Sequence, residues 1–208
     1  MVVAAGLTLA LTQNTTTAAF TGQTSDAGNS VGTAASFCVS PGGTTLGVTN
    51  DTAVYESSPA TTYGGSTTVG VSSGVGVHAH SLLRFTLPAL ASHCAITSAT
   101  LRLYATSSQG PGWVDVYRAS TTWASGTATW NMAGRPGPAG TAVGFAEGTT
   151  GWHQWTVTTL VQELYAGPDY GFLLKDRVNN ASPSRATLYE SLDSATVANR
   201  PQLVLTWG

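Results

Sequence analysis

Two stretches of strict alternation constrain the fold of this chain more than anything else in it. Val77, Ala79, Ser81, Leu83, Phe85 and Leu87 alternate with His78, His80, Leu82, Arg84 and Thr86. A few residues later Ala99, Leu101, Leu103 and Ala105 alternate with Thr100, Arg102 and Tyr104. A period of two sends successive side chains to opposite faces of a strand, so each run has one face for a core and one for the outside. Pro88 ends the first run, because proline cannot donate to a ladder. The linker 89–98 is short enough to hold both strands in one domain, either paired or in facing sheets. Half-buried strands must bury their apolar face against another layer, which predicts a β-sandwich with this pair at its centre.

The rest of the chain repeats the pattern. Strands are predicted at 51–55, 67–71, 113–117 (Val114 and Val116 inward), 127–131, 151–157, 170–175, 186–189 and 202–207. The Gly- and Pro-rich stretch 133–151 reads as a long loop. Val157, Leu160, Val161 and Leu164 fall at i, i+3, i+4 and i+7, with Thr158 as cap and Gly167 as stop, so one short helix is expected there. Many short strands between glycine turns give an all-β, jelly-roll-like antiparallel sandwich over residues 49–208. Residues 1–48 read as a signal-like, extended segment with strand character. Its apolar run, 2–11, is too short to span a membrane and suits the h-region of a signal peptide. No basic stretch precedes that run, and a strand retained in the mature protein is the alternative.

Only 9% of the 208 residues are charged, against an average near 25%. The net charge of −2 lacks the basic balance that nucleic acid demands. Thr, Ser, Gly and Ala take the places charges usually hold, as in secreted β proteins. Cys38 and Cys94 are two lone cysteines, either buried thiols or one disulfide, and a secreted chain favours the disulfide.

Candidate chemistry is sparse. His78 and His80 share a strand face, so both imidazoles can reach one metal, although no third ligand lies nearby in sequence. By parity Arg84, Arg102 and Tyr104 join those histidines on a basic and aromatic outer face. Such a face suits a uronate sugar, since arginine pairs carboxylates bidentately and a ring stacks on a sugar's apolar side. The structural alternative is that Arg84 and Arg102 lie over Trp or Tyr rings, or pair with Asp115 or Glu190, and only hold the sheet together. Trp152, between Gly151 and His153, is the tryptophan expected to be exposed. Asp51, Asp176 and Asp193 are candidate ligands for a structural Ca²⁺. No glycine-rich loop opens a helix, and Asp169, Asp176, Glu190 and Asp193 are not spaced as an acid/base pair, so no enzyme is expected.

The series Asp51-Thr-Ala-Val-Tyr55, Ser81-Leu-Leu-Arg-Phe85, Ser98-Ala-Thr-Leu-Arg-Leu-Tyr104, Val114-Asp-Val-Tyr117, Trp123 with Thr129-Trp130-Asn131, Trp155-Thr-Val-Thr158, Tyr170-Gly171-Phe172 and Arg200-Pro-Gln-Leu-Val204 resembles the DNRLRE domain, a secreted β-sandwich module. Phe37-Cys38 and Cys94 also resemble positions in actinobacterial members. The start Ala18-Ala19-Phe20-Thr21, followed by a Thr/Ser/Asn-rich run, resembles the segment after SipW-type signal sequences, which in such relatives can act as a donor strand. The family has no catalytic residues to carry over, and some members belong to a carbohydrate-binding module family that takes anionic polysaccharide such as alginate. Ser191-Leu192-Asp193 departs from the family's usual acidic position there. Two functions are therefore expected. One is a non-catalytic structural or adhesive subunit of an extracellular or cell-surface assembly, self-associating or joined to other surface proteins, with filaments linked by N-terminal donor strands. The other is a module binding anionic polysaccharide. Neither calls for nucleic acid or a membrane span.

Overall fold

The structure is a computed structural model in which residues 37–109, 112–146 and 148–208 are described. The signal-like run and the proposed donor strand lie outside these residues. The order of elements is β1 (Gly42–Gly47), β2 (Asn50–Tyr55), β3 (Thr68–Ser73), β4 (Ala79–Arg84), β5 (Ile96–Ser108), β6 (Trp113–Ala119), β7 (Pro138–Ala146), β8 (Gly151–Thr156), α1 (Thr158–Ala166), β9 (Phe172–Asp176), β10 (Arg185–Glu190) and β11 (Gln202–Trp207). All pairings are antiparallel. The all-β sandwich expectation is met. β1 pairs with β11, so strand structure begins before residue 49.

The two alternating runs do not pair. β5 is flanked by β11, β10 and β8, whereas β4 is flanked by β2, β3 and β9. The sheet curls between them along the β10–β3 ladder. Leu83 and Phe85 from one wall and Leu101 and Leu103 from the other are all buried in one core, with Trp155, Phe172, Tyr189 and Leu203. Each such side chain taken fully from water stabilises the fold by roughly 1.5–3 kcal/mol. Since the inward faces of β4 and β5 meet in that core, their outward faces point away from each other. The outer face of the β4 wall carries a second, smaller core, in which Val54, Leu82 and Leu173 are covered by Trp123 and Ala128.

Three local expectations are corrected. Residues 133–151 contain β7, which is held by β6 rather than by its own weak alternation. Residues 127–131 form turns lying over the outer face, not a strand. Thr158 does not cap α1; its hydroxyl accepts the Ala99 N–H at 3.0 Å, and Val157 stands at the N-cap without a side-chain bond. The apolar stripe Leu160, Val161 and Leu164 is buried as its spacing predicts. Gly171 is required where it stands: its φ is +77°, and a Cβ there would lie 2.2 Å from the Leu83 carbonyl oxygen. A bulkier residue would push β9 away from β4.

Cys38 and Cys94 form a disulfide across 56 residues of chain. Closing a loop of that size is worth about 4 kcal/mol in the chain-entropy picture. Reduction is therefore expected to lower the melting temperature by many degrees, and an unchanged melt after reduction would contradict this.

Asp51 is buried under the turn before the last strand and accepts the Leu192 N–H at 2.7 Å. Burial above all, helped by the charge of Asp193, pushes its pKa up from 3.8 to about 6, against the Leu192 bond and Arg200. The folded state thus holds a proton that the unfolded chain releases earlier. This contribution to stability is present below pH 3.8 and is lost as the pH rises through about 6. Asp51→Asn keeps an acceptor for Leu192 without the charge. It should raise stability at pH 7.5 by up to about 3 kcal/mol and leave it unchanged at pH 3.5. Equal melting shifts at both pH values would contradict this origin.

Candidate functional site

The site is built on the outer face of the β4 wall. Along β4, His80 and Arg84 point outward on either side of Leu82, and His78 continues the row beyond the strand's start. The β4–β9 register places Leu82 opposite Leu173, so Lys175 of β9 leaves the same face near His80. Trp130 and Arg135 come from the turns that cover this face. Together with Asn179 and Asn180 from the loop after β9, these side chains line a groove of about 300 Å³.

Its polar groups are ordered in a definite way. Asn180 N–H donates to His78 Nε2 at 3.3 Å, which leaves the proton on Nδ1, facing the Glu56 carboxylate at 2.6 Å. Glu56 Oε2 also accepts the His78 backbone N–H at 3.2 Å, and the bond to the imidazole holds this exposed carboxyl below its usual range. His80 is pushed down to about 3, first by burial and then by the charges of Arg135 and Lys175, so it is a neutral ring. Trp130 has both imidazoles beside it, at 5.1 Å for His80 and 6.2 Å for His78. The Arg135 guanidinium lies 3.7 Å from the centre of the Trp130 ring. Contact with an aromatic face stabilises a cation while leaving its in-plane donors free, and one of them, Nη1, has no acceptor. Lys175 is held by Asn179 Oδ1 at 3.2 Å. Neither Arg135 nor Lys175 forms an ion pair with a carboxylate among the described residues. The groove therefore offers two cations, two amide side chains and a neutral imidazole around an aromatic ring, with the Glu56 carboxylate held on His78 and in electrostatic reach of Arg135. Charge-assisted donors of this kind recognise a carboxylate, and amides recognise hydroxyls.

The outer face expected from parity is not one face. His78, His80 and Arg84 stand on the β4 wall, while Arg102 and Tyr104 stand on the opposite wall with Trp152. The reason is the shared core: strands that face each other across it cannot share an outside. Arg84 is engaged with Trp123, lying 4.9 Å from its ring and donating to its carbonyl at 3.4 Å. Arg102 lies 4.6 Å from the Trp152 ring. Trp152 is half-buried, and among the described tryptophans it is Trp113, at 44% exposure, that reaches solvent most. Asp51, Asp176 and Asp193 do not converge. Asp176 receives Arg185 at 2.6 Å through both oxygens and lies four residues along β9 from Phe172, the residue in line with Asp51 across β4, a distance of roughly 13 Å. Among the described residues no three His, Cys, Asp or Glu side chains gather around a common point, the histidine pair included.

A larger cleft of about 470 Å³ lies between α1 and the linker carrying Cys94. It is lined by Leu90, Ile96, Gln162 and Tyr165 with no charged side chain. Its polar groups are already satisfied, since Gln162 donates to the Ile96 carbonyl at 2.7 Å and Tyr165 to that of Pro88 at 2.8 Å.

The model of carbohydrate-binding module family 96 matches residues 43–207. The chain belongs to that family. No curated protein matches it. Membership makes the sandwich a carbohydrate-binding module. No helix among the described residues is long and apolar enough to cross a membrane.

Sequence reading found His78 and His80 but missed Trp130, Arg135, Lys175, Asn179 and Asn180. Lys175 was within reach, because the phase of Phe172 and Leu174 sends it outward. Arg135 sits in a Gly/Pro-rich turn whose position no local pattern gives. With a folded pKa near 3, the His80 ring protons should show no NMR titration between pH 8 and pH 5; a midpoint near 6.5 would mean that the ring is solvated rather than buried.

Proposed function

We propose that this module binds a uronate-bearing, anionic polysaccharide outside the cell, in the groove of His78, Trp130, Arg135 and Lys175, and makes or breaks no bond there. The observation that carries the reading is the pair of cations without carboxylate partners, one of them seated on a tryptophan. In a protein with so little charge, most cations are already engaged. Arg118, Arg177 and Arg185 pair with Glu163, Asp115 and Asp176, and Arg200 donates to the Ser194 carbonyl. Of the other four, Arg84 is tied to the ring and carbonyl of Trp123, Arg102 lies on Trp152 and donates to Gln202, and Arg135 and Lys175 line one groove with two asparagines. Family membership supplies the carbohydrate, and the unpaired charge supplies the anion. The disulfide supports an extracellular setting. The role of a filament subunit rests on residues 1–36, outside the described residues, and no observation here favours it.

Binding of alginate and of a neutral glucan, measured by calorimetry at low and moderate salt, tests the proposal. Alginate should bind and weaken as salt rises, and the glucan should not bind. Each of Arg135→Ala and Lys175→Ala should cost about tenfold in affinity, the scale of one charge-assisted hydrogen bond. Equal binding of both glycans, or alginate binding indifferent to both substitutions, would overturn it.

A further inference from the structure

The opposite wall carries a second cluster of the same chemistry. The registers set Arg102 of β5 opposite Gln202 of β11 on one side and Gln154 of β8 on the other. These three side chains form a row across adjacent strands, about 10 Å from end to end. The next outward row on β5 and β8 pairs Tyr104 with Trp152, whose rings meet edge to face at 5.6 Å. Arg102 lies over Trp152 and donates from Nη1 to Gln202 Oε1 at 3.1 Å. Its Nε has no acceptor, and no carboxylate pairs with it among the described residues. The outward residues of β5, β8 and β11 beside Arg102 include no acid, and Glu190 of β10, next after the core residue Tyr189 opposite Ala105, stands outward on the Tyr104 side.

We propose that this face is a second uronate-binding surface, so that one module bridges two polysaccharide strands. The ligand class rests on the reading of the first groove. What is independent is the place: a tryptophan-seated arginine that forms no ion pair with a carboxylate among the described residues, flanked by two amides and a tyrosine. A row of amide and guanidinium donors reads hydroxyls and a carboxylate along a sugar chain. The two faces look away from each other across the core, so a short oligomer held on one cannot reach the other. Two occupied faces then link separate strands, with avidity for a dense matrix beyond the affinity of either site.

Calorimetry with a purified uronate trimer counts the sites. The wild type should take two trimers per chain and cross-link long alginate into a turbid or more viscous phase. Trp152→Ala should leave one trimer per chain and abolish cross-linking. Gln154→Glu, at an exposed position that need not disturb packing, should weaken the second site about tenfold by putting a carboxylate beside Arg102. Arg135→Ala should weaken the first site and spare the second. One trimer per chain in the wild type, with stoichiometry and affinity unchanged by Trp152→Ala and Gln154→Glu, would overturn this proposal and leave the groove reading intact. Binding lost in those two variants and untouched by Arg135→Ala would overturn the groove reading and keep this face. No trimer binding at all would overturn both.

Discussion

The organisation of this protein follows from one constraint: the alternate residues of β4 and β5 are buried in the same core. Leu83 and Phe85 from one wall and Leu101 and Leu103 from the other exclude water together. That burial fixes the phase of both strands, because a slip of one residue would carry every core side chain to the outside. It also fixes where the chemistry can be. With inward faces turned toward each other, His78, His80 and Lys175 have one outside and Arg102 and Tyr104 have the other.

On those outer faces the low charge has a second consequence. A surface with few acids cannot neutralise its arginines by ion pairs alone, and tryptophan takes over part of the task. Arg84, Arg102, Arg135 and Arg177 each lie over a tryptophan ring. Among them Arg177 also has Asp115, which it meets bidentately. Arg84 is tied to the Trp123 carbonyl and helps close the small outer core. Arg84, Arg102 and Arg135 each keep one buried guanidinium N–H without an acceptor. The aromatic seat holds the cation in place, at about 0.5–2 kcal/mol, without neutralising its charge. This differs from a flat aromatic platform, on which the ring itself receives the sugar; at Trp130 the ring centre is taken by Arg135.

Much of this was legible in the sequence, for a physical reason in each case. Alternation with a period of two reports burial directly, so the strands 113–117 and 202–207 could be read from residue order, as the helix stripe at 157–164 could from its own period. The pairing of β4 and β5 could not, because parity fixes faces within a strand but not which strands are neighbours. That ambiguity merged two opposite surfaces into one. β7 was missed because Pro138, Gly140 and Gly144 carry little strand preference, and its backbone is ordered by β6 instead. The groove was half visible: the histidines sit on a regular strand, while Trp130 and Arg135 reach it from turns whose path depends on the packing of Trp123 and Ala128 over Leu82. The three aspartates suggested a common ion only because nothing in the order of residues separates Asp51 from Asp176 in space.

The central claim is that the ordered cations on the β4 wall, and not the larger apolar cleft beside α1, receive the sugar. Backbone amide NMR shifts recorded while a uronate oligomer is titrated into the ¹⁵N-labelled protein test it most directly. The account predicts that the early, large shifts fall at 78–80, 130–135 and 175–180. Shifts centred on Leu90, Ile96 and Tyr165 instead would contradict it.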